Sequence, residues 1–135
     1  MPTMTIQLRS IPDTQAAVGW AGGHTVVVDR PDGKAGGMGL GFNGGELLGL
    51  AIGGCFCNDL QYVAHDMGVR LASIELDVTV ALEGNPLLAT QAMMRIAVTA
   101  ADGADVTGVI RRASEISTVA NSVRRGFPVQ IVAND

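Results

Sequence analysis

The chain has 135 residues, which is the length of one domain, and 47% of its residues are hydrophobic whereas 16% are charged. This composition excludes an intrinsically disordered chain, because enough apolar surface is present to form a core. The charged fraction is low against the roughly 25% typical of soluble domains, which indicates that a second subunit covers part of the surface. We therefore expect a single domain, residues 1–135, that forms an oligomer.

The net charge of −4 and the aromatic fraction of 4% argue against a nucleic-acid partner. Proteins that follow a phosphate backbone carry an excess of basic residues with aromatic residues between them. The longest nearly apolar run, residues 47–57, is shorter than the about 20 residues that a bilayer span needs, and the first residues show no secretory signal. We expect a cytoplasmic protein without a membrane partner, whose two cysteines are thiols.

The first third of the chain predicts three strands and a long loop. The strands are predicted where β-branched or aromatic residues gather, at residues 4–8, 17–20 and 24–29. Gly22 and Gly23 separate the last two strands and predict a hairpin turn. Pro31 and the seven glycines of residues 30–45 exclude a regular strand or helix, so this segment is predicted to be a loop. Long loops often carry function.

A long helix is predicted from Asn43 to Met67. Asn43 can cap its first turn, Glu46 has the spacing of a capping box, and Gly68 can end the helix in the left-handed conformation. An apolar stripe follows helical spacing at Leu48, Ile52, Phe56, Leu60, Val63 and Met67. Three glycines at positions 49–54 each lower the helix propensity by about 1 kcal/mol relative to alanine, so we expect close packing against another backbone segment to hold the helix.

The next segment predicts a β-hairpin. From Ile74 to Glu83, apolar residues alternate with polar ones, which is the pattern of a strand with one buried face. Residues 84–86, Gly-Asn-Pro, predict a turn, and a second alternating segment at residues 93–99 predicts the antiparallel partner strand.

A second helix and a short strand are predicted to close the chain. Residues 106–123 repeat apolar side chains at spacings of three and four, which predicts an amphipathic helix capped by Asp102 or Asp105 and ended by Gly126. Residues 128–133 predict the last strand. The order of three strands, a helix, a hairpin, a helix and a strand indicates the α+β class with antiparallel sheets.

Two cysteines lie on the predicted long helix, with Cys55 at the margin of the apolar stripe and Cys57 about 180° away. Residues two apart on a helix point away from each other, so a disulfide between them is not expected. A free cysteine in an apolar run is most often a small core residue. Glu46 most simply caps the helix with Asn43. It lies about 13 Å along the axis from Cys55, so a contact would require the loop to fold back or a second subunit.

The segment from Gly44 to Cys55 reads Gly-Gly-Glu-Leu-Leu-Gly-Leu-Ala-Ile-Gly-Gly-Cys. It resembles the Pro-x-Glu-Leu-Leu-x-x-Ala-x-Gly-x-Cys segment of the OsmC and organic hydroperoxide resistance (Ohr) family, and the element order is similar over nearly the whole chain. The resemblance implies an intertwined homodimer with antiparallel sheets, two central helices in the core and a peroxide site at the subunit interface.

The resemblance also implies a set of site residues. Active relatives use a peroxidatic cysteine, a glutamate and an arginine, with a second cysteine that closes a disulfide. By this resemblance Cys55 is the attacking thiolate and Glu46 is the carboxylate. The family motif Ala-x-x-x-Cys-Pro-x-Ser-Asn corresponds to residues 113–121, where Ser117 stands at the position of the second cysteine. Ser117 either lines the site or bonds a carbonyl one turn back.

The arginine of the family precedes the long helix, and between the second strand and that helix this chain offers Arg30 and Lys34. Arg124 and Arg125, at the end of the second helix, are possible substitutes, although basic residues there also complement the helix dipole. A cation matters because a thiol without one keeps a pKa near about 8.5 and is mostly protonated at neutral pH.

Metal and nucleotide sites are not expected. Cys55, Cys57, His24 and His65 are potential ligands, but no Cys-x-x-Cys or His-x-x-x-His pair is present. The glycine cluster at residues 33–45 lacks the Gly-x-x-x-x-Gly-Lys-Ser/Thr pattern of a phosphate-binding loop. We therefore predict neither a metal nor another cofactor.

Two functions are compatible with these features. The first is a thiol-dependent hydroperoxide reductase of oxidative-stress defence, in which Cys55 forms a sulfenic acid that an external thiol reduces. Glu46 would orient the thiolate or its cation. The alternative is a dimer that keeps the fold without the chemistry and binds a small apolar ligand at the subunit interface. Both predict a homodimer, and they differ in the reactivity of the Cys55 thiol.

Overall fold

The computed structural model describes residues 1–134 and shows an α+β protein with antiparallel sheets, as predicted. In chain order its elements are β1 (Gln7–Ser10), β2 (Ala17–Ala21), β3 (His24–Val28), α1 (Gly44–Asp66), β4 (Leu71–Glu83), β5 (Leu88–Ala100), α2 (Thr107–Ile116) and α3 (Thr118–Arg125). The chain divides into two compact units, residues 1–48 and a second unit that begins at Gly49.

The first unit contains the three predicted strands as one antiparallel sheet in the order β1-β2-β3. Gly22 lies in the turn between β2 and β3 with a φ of 58°, a conformation that favours glycine. The prediction for the first strand was displaced, because β1 begins at Gln7 rather than at Met4. Its start is set by pairing, since Gln7 lies opposite Trp20 near the end of β2.

The predicted glycine-rich loop is confirmed, and the buried carboxylate of Asp29 organises it. Asp29 Oδ2 accepts hydrogen bonds from the backbone N–H groups of Met38 and Leu40, both at 3.0 Å, and Oδ1 accepts one from the N–H of Arg30 at 2.8 Å. The loop is closed by a parallel bridge between Val28 and Phe42. These bonds hold the pKa of Asp29 below its ordinary value. The N–H of Leu40 contributes most, and burial opposes the effect.

Both predicted ends of the long helix are confirmed. The Asn43 side chain accepts from the N–H of Glu46 at 2.9 Å, and the Glu46 carboxylate accepts from the N–H of Asn43 at 3.0 Å, which is a capping box. At the other end Gly68 has a φ of 69° and its N–H donates to His65 O. The N–H of Val69 donates to Ala64 O, which completes a Schellman motif.

The second unit has its core between α1, α2 and the β4-β5 hairpin. The buried core residues are Phe56, Leu60, Val63 and Ala64 of α1 with Val109 and Ala113 of α2. Hydrophobic side chains of β4 and β5, including Ile74, Leu76, Met94, Ile96 and Val98, pack against this cluster. The predicted stripe of α1 therefore faces the core.

The glycines of α1 allow β4 to approach the helix closely, and this packing offsets their low helix propensity. A Cβ placed on Gly53 would lie 2.9 Å from Val78 Cγ2 of β4, and one on Gly49 would lie 3.5 Å from Val80 Cγ2. Gly54 has open space around it within the chain, with nothing inside 4 Å. One face of α1 thus lies directly on β4.

The predicted hairpin is confirmed, and its strands are longer than the alternating segments. β4 and β5 pair antiparallel from Leu71 opposite Ala100 to Glu83 opposite Leu88. The polar residues of β4, among them Glu75 and Asp77, are exposed, as the alternation predicts.

The prediction of one continuous second helix was wrong, because the chain forms α2 and α3 with a break at Ser117. Ser117 has φ −60° and ψ 112°, an extended conformation that ends α2 and begins α3. The apolar spacing of three and four continues without interruption through Ser117, so the sequence pattern could not reveal the break. The carboxylate of Asp105 accepts from Thr107, which holds its pKa below the ordinary value, but Val106 is the N-cap.

The predicted strand at residues 128–133 is absent from the described part of the chain, where residues 126–134 have no regular secondary structure. A strand needs a partner edge, and none pairs with this segment here. Its apolar side chains are exposed, and Ile131 keeps 95% of its surface accessible.

By length and composition alone, α1 could cross a membrane, with a mean hydropathy of 1.2 over its most apolar window. A core helix passes the same test, so this feature is weak evidence for a span. That the protein has no membrane partner stays a prediction.

Candidate functional site

The Cys55 thiol lies on α1 beside a carboxylate of the same helix. Its side chain is partly buried, and Sγ lies 3.6 Å from Asp59 Oδ2, with the thiol as donor. The two residues are four apart, the spacing at which side chains on a helix are neighbours. The sequence places a thiol and a carboxylate on one face, and the helix brings them into contact.

Asp59 is buried although it is acidic, with 8% of its surface exposed. Cys55 is the only hydrogen-bond partner of its side chain among residues 1–134. Its helix neighbours Phe56 and Leu60 belong to the hydrophobic core. A carboxylate in such surroundings interacts strongly with any proton or charge that comes close, because water screens it little.

Ser117 closes the cluster from the junction of α2 and α3. It is completely buried, and its Oγ lies 4.0 Å from Cys55 Sγ. An N-cap serine usually accepts a hydrogen bond from the first turn of its helix, but Ser117 makes no such side-chain bond in α3. Ser117 does not make the predicted alternative contact, a hydrogen bond to a carbonyl one turn back. Ser114 makes a bond of that kind, since its Oγ donates to Ile110 O. The Ser117 hydroxyl therefore faces the thiol.

The other predicted site residues make contacts elsewhere. Glu46 serves the capping box at the start of α1. Arg30 pairs with Asp29 at 3.2 Å and donates to the Gln15 carbonyl. Arg124 donates to Asn121 Oδ1 at 2.7 Å. Catalytic roles for these three residues stay predictions.

Cys57 is also partly buried, and both cysteines are free thiols. Gly53, one turn earlier on the same side of α1, faces Val78 of β4. The side of the helix opposite the stripe is exposed within the chain, at Leu50, Gly54 and Asn58. Within residues 1–134 no three His, Cys, Asp or Glu side chains are placed to hold a metal ion.

Sequence reasoning missed Asp59. A signal was available, since an acidic residue four positions after a cysteine lies on the same helix face, next to the apolar stripe. That spacing alone does not separate a solvated carboxylate from a buried one. The difference is the burial of Asp59 in the folded chain, and it depends on tertiary packing.

The cluster can hold and transfer a proton. A thiol supplies the nucleophile, a buried carboxylate accepts its proton, and a hydroxyl can donate or accept a hydrogen bond. No hydrogen bond within the described residues brings a basic side chain to the sulfur. The arrangement therefore allows proton transfer from the Cys55 thiol to a neighbouring carboxylate.

The fold and this site define an α+β protein that carries a cysteine on a long core helix packed against a hairpin. A family model described as OsmC-like protein matches residues 36–132. The chain belongs to this OsmC-like family, which confirms the resemblance seen in the segment from Gly44 to Cys55. The comparison with curated proteins found no match.

Solved structures show the same fold. An OsmC-like protein of unknown function from Vibrio cholerae is 12% identical, with a TM-score of 0.76 over 90% of this chain and 94% of that one. An OsmC-like protein from Mycoplasma pneumoniae is 14% identical, with a TM-score of 0.75 over 91% and 88%. An organic hydroperoxide resistance protein OsmC from Legionella pneumophila is 16% identical, with a TM-score of 0.64 over 92% and 90%. At these identities the likeness establishes the fold alone.

Proposed function

We propose that this protein is a thiol-dependent hydroperoxide reductase of oxidative-stress defence, with Cys55 as its peroxidatic residue. The observation that carries the proposal is the position of the Cys55 sulfur, which is partly exposed and contacts a buried carboxylate and a buried hydroxyl. Membership of the OsmC-like family and the fold shared with an organic hydroperoxide resistance protein support it.

The proposed reaction oxidises the sulfur and reduces the peroxide. The Cys55 sulfur attacks the terminal oxygen of an organic hydroperoxide, an S–O bond forms, the O–O bond breaks, and an alcohol leaves. The product is a sulfenic acid on Cys55. The apolar residues around the site favour a hydroperoxide with a hydrocarbon body over hydrogen peroxide.

An external thiol would complete the cycle. Ser117 occupies the position of the family's second cysteine and cannot form a disulfide. One reductant thiol condenses with the sulfenic acid to give a mixed disulfide and water, and a second thiol releases Cys55 by exchange. This balance consumes two external thiols for each hydroperoxide.

The test is stopped-flow measurement of organic hydroperoxide loss with a thiol reductant present. Cys57→Ser is the matched control, because Cys57 is also partly buried on α1 and its sulfur makes no hydrogen bond among the described side chains. We expect Cys55→Ser to abolish the reaction and Cys57→Ser to retain it. If the wild type consumes peroxide no faster than Cys55→Ser, the proposal fails.

We also propose that the protein is a homodimer. Several large apolar side chains are exposed in the described chain, among them Ile6, Leu50, Leu88, Phe127 and Ile131. Surface of this kind is usually covered by a partner. The unpaired residues 128–133 are suited to add to a sheet edge of a second copy. Sedimentation analysis should give twice the chain mass of 13.9 kDa, and a monomer at micromolar concentration would contradict the proposal.

A second candidate function is the binding of a small apolar ligand without catalysis. It is favoured by the lack of a basic side chain in hydrogen-bonding contact with Cys55 among residues 1–134, because a cation normally activates a catalytic thiol. The hydroperoxide assay separates the two. A binder retains its affinity for an apolar fluorescent probe in Cys55→Ser and shows no peroxide consumption in the wild type.

A further inference from the structure

We propose that Asp59 is a catalytic residue, the group that takes the proton from the Cys55 thiol and returns it to the alkoxide that leaves the peroxide. This role rests on the proposed hydroperoxide reductase function. The reaction needs a proton transfer, and the proposal assigns it to a residue that was not among the predicted site residues. Asp59 qualifies as catalytic because it contacts the reacting sulfur.

The geometry points to proton transfer rather than to charge pairing. Cys55 Sγ and Asp59 Oδ2 lie 3.6 Å apart, an ordinary separation for a sulfur donor. In this hydrogen bond the thiol is the donor and the carboxylate oxygen is the acceptor. Moving this one proton gives a thiolate beside a neutral carboxylic acid, and that pair avoids two negative charges at one place.

The surroundings of Asp59 offer its carboxylate little from the protein itself. A buried carboxylate needs several good hydrogen bonds or a cation to offset the loss of hydration, and Asp59 has one thiol donor among the described residues. The burial of Asp59 is therefore an observation that needs a functional explanation.

No other ionisable group competes for this role in the described chain. The other charged side chains on the elements packed around the cluster are all exposed, namely Glu46, His65 and Asp66 of α1, Glu75, Asp77 and Glu83 of β4, Arg95 of β5, Arg111, Arg112 and Glu115 of α2, and Arg124 and Arg125 of α3. Ser117 faces the thiol, but a hydroxyl is too weak a base to keep a proton at neutral pH. Asp59 is the acceptor within reach.

The proposed step balances in atoms and charge. The S–H proton of Cys55 passes to Asp59, and the thiolate attacks the terminal peroxide oxygen, which keeps its own hydrogen. The O–O bond breaks with its electron pair on the leaving oxygen. Asp59 then gives its proton to that alkoxide, which leaves as the alcohol. Cys55 is a sulfenic acid and Asp59 is a carboxylate again.

The test measures the rate of Cys55 alkylation by iodoacetamide as a function of pH. Two proteins are compared, both carrying Cys57→Ser: one keeps Asp59 and the other carries Asp59→Asn. We expect Asp59→Asn to react at least about 100-fold more slowly at neutral pH, the lower end of the effect of a general base. The difference should close near pH 10, where hydroxide removes the thiol proton in both proteins. Asp66→Asn, an exposed carboxamide exchange on the same helix, is the matched control and should react like the wild type.

Opposite results would overturn the proposal. If the carboxylate only repels the thiolate, removal of its charge makes alkylation faster at neutral pH. If Asp59 has no influence on the thiol, the two rates agree at every pH. The proposal also requires Asp59→Asn to fold at least as stably as the wild type, so a variant that does not fold would give Asp59 a structural role instead. Asp59→Ser, made in parallel, shows whether such a failure comes from the asparagine or from the lost carboxylate.

The two proposals fail separately. A wild type that consumes no hydroperoxide beyond the Cys55→Ser background removes the hydroperoxide reductase function. The alkylation comparison needs no peroxide, and it still shows whether Asp59 accepts the Cys55 proton. Conversely, an active enzyme whose Asp59→Asn variant is alkylated and turns over at the wild-type rate keeps the function and loses the role of Asp59.

Discussion

Two buried carboxylates, Asp29 and Asp59, have opposite surroundings in this molecule. The Asp29 side chain is 1% exposed, and it accepts hydrogen bonds from three backbone N–H groups and pairs with the Arg30 guanidinium. The Asp59 residue is 8% exposed, and its carboxylate receives one thiol hydrogen among the described residues. The same functional group is buried at both places, and only the first has several donors from the protein.

The difference separates a structural carboxylate from a candidate catalytic one. Hydrogen bonds to a charged group are strong, so Asp29 stabilises the loop whose N–H groups it binds. Asp59 receives only the Cys55 thiol as a donor among the described residues, and its proposed role is in the reaction of that thiol. The following variants test this contrast.

The largest expected effect is the loss of stability in Asp29→Asn. The amide can still accept on one side, but its NH₂ group then faces the Arg30 N–H and guanidinium, and buried donors lose their acceptor. Asp59→Asn replaces a poorly satisfied charge by a neutral group, so we expect no loss. Urea unfolding of both variants gives the comparison. Equal destabilisation would contradict the distinction between the two sites.

Acid should reproduce the effect of Asp29→Asn in the wild type. The pKa of Asp29 is lowered in the folded protein from its ordinary value of 3.8, chiefly by the N–H of Leu40. The unfolded chain therefore binds more protons near that pH, and the stability contributed by Asp29 is present above it and lost as the pH falls through the folded pKa. Stability measured from pH 7 to pH 2 should converge for wild type and Asp29→Asn. A constant difference over this range would exclude the carboxylate charge as its source.

A smaller effect on stability is expected from alanine substitutions of the α1 glycines near β4. The packing of α1 on β4 helps to set the orientation of the helix face that carries Asp59. A methyl group on Gly53 would approach Val78 Cγ2 to 2.9 Å, so overpacking of about 1–3 kcal/mol opposes a gain in helix propensity of about 1 kcal/mol. Gly54 is open within the chain and should show the gain alone. Thermal unfolding should thus rank Gly54→Ala above Gly53→Ala. The reverse order would mean that α1 and β4 are less closely packed.

The smallest expected effect concerns Glu46 and its partner Asn43. Loss of the N-cap in Asn43→Ala should cost about 1 kcal/mol of stability. Glutamine also completes a capping box, so Glu46→Gln should keep the stability of the wild type. Its hydroperoxide activity then decides the role of Glu46. Retained activity restricts Glu46 to capping, whereas a loss with unchanged stability supports the role that the family resemblance implies.

Much of the fold could be predicted because the determining interactions are local. The two ends of α1 follow from Asn43, Glu46 and Gly68, whose side chains or backbone conformation satisfy groups within a few residues. The alternation in β4 and the turn after it are equally local. The break at Ser117 and the missing strand at residues 128–133 could not be predicted, since each depends on what lies opposite in space.

The site was predictable in part for the same reason. The family resemblance pointed to Cys55 and Ser117, and the fold brings these two residues together across 62 positions of sequence. Asp59 needed the structure, because its distance along the helix shows only that it is near Cys55 and not that it is buried.

The amino-acid sequence by itself determined most of the elements, both ends of α1 and the family of this protein, since hydrophobic periodicity and capping act within a few residues. Only the tertiary structure decided that Asp29 accepts several backbone hydrogen bonds, whereas Asp59 accepts one from a thiol. Burial and hydrogen bonding are properties of the neighbours that a side chain meets across the fold, and these neighbours lie far away along the chain.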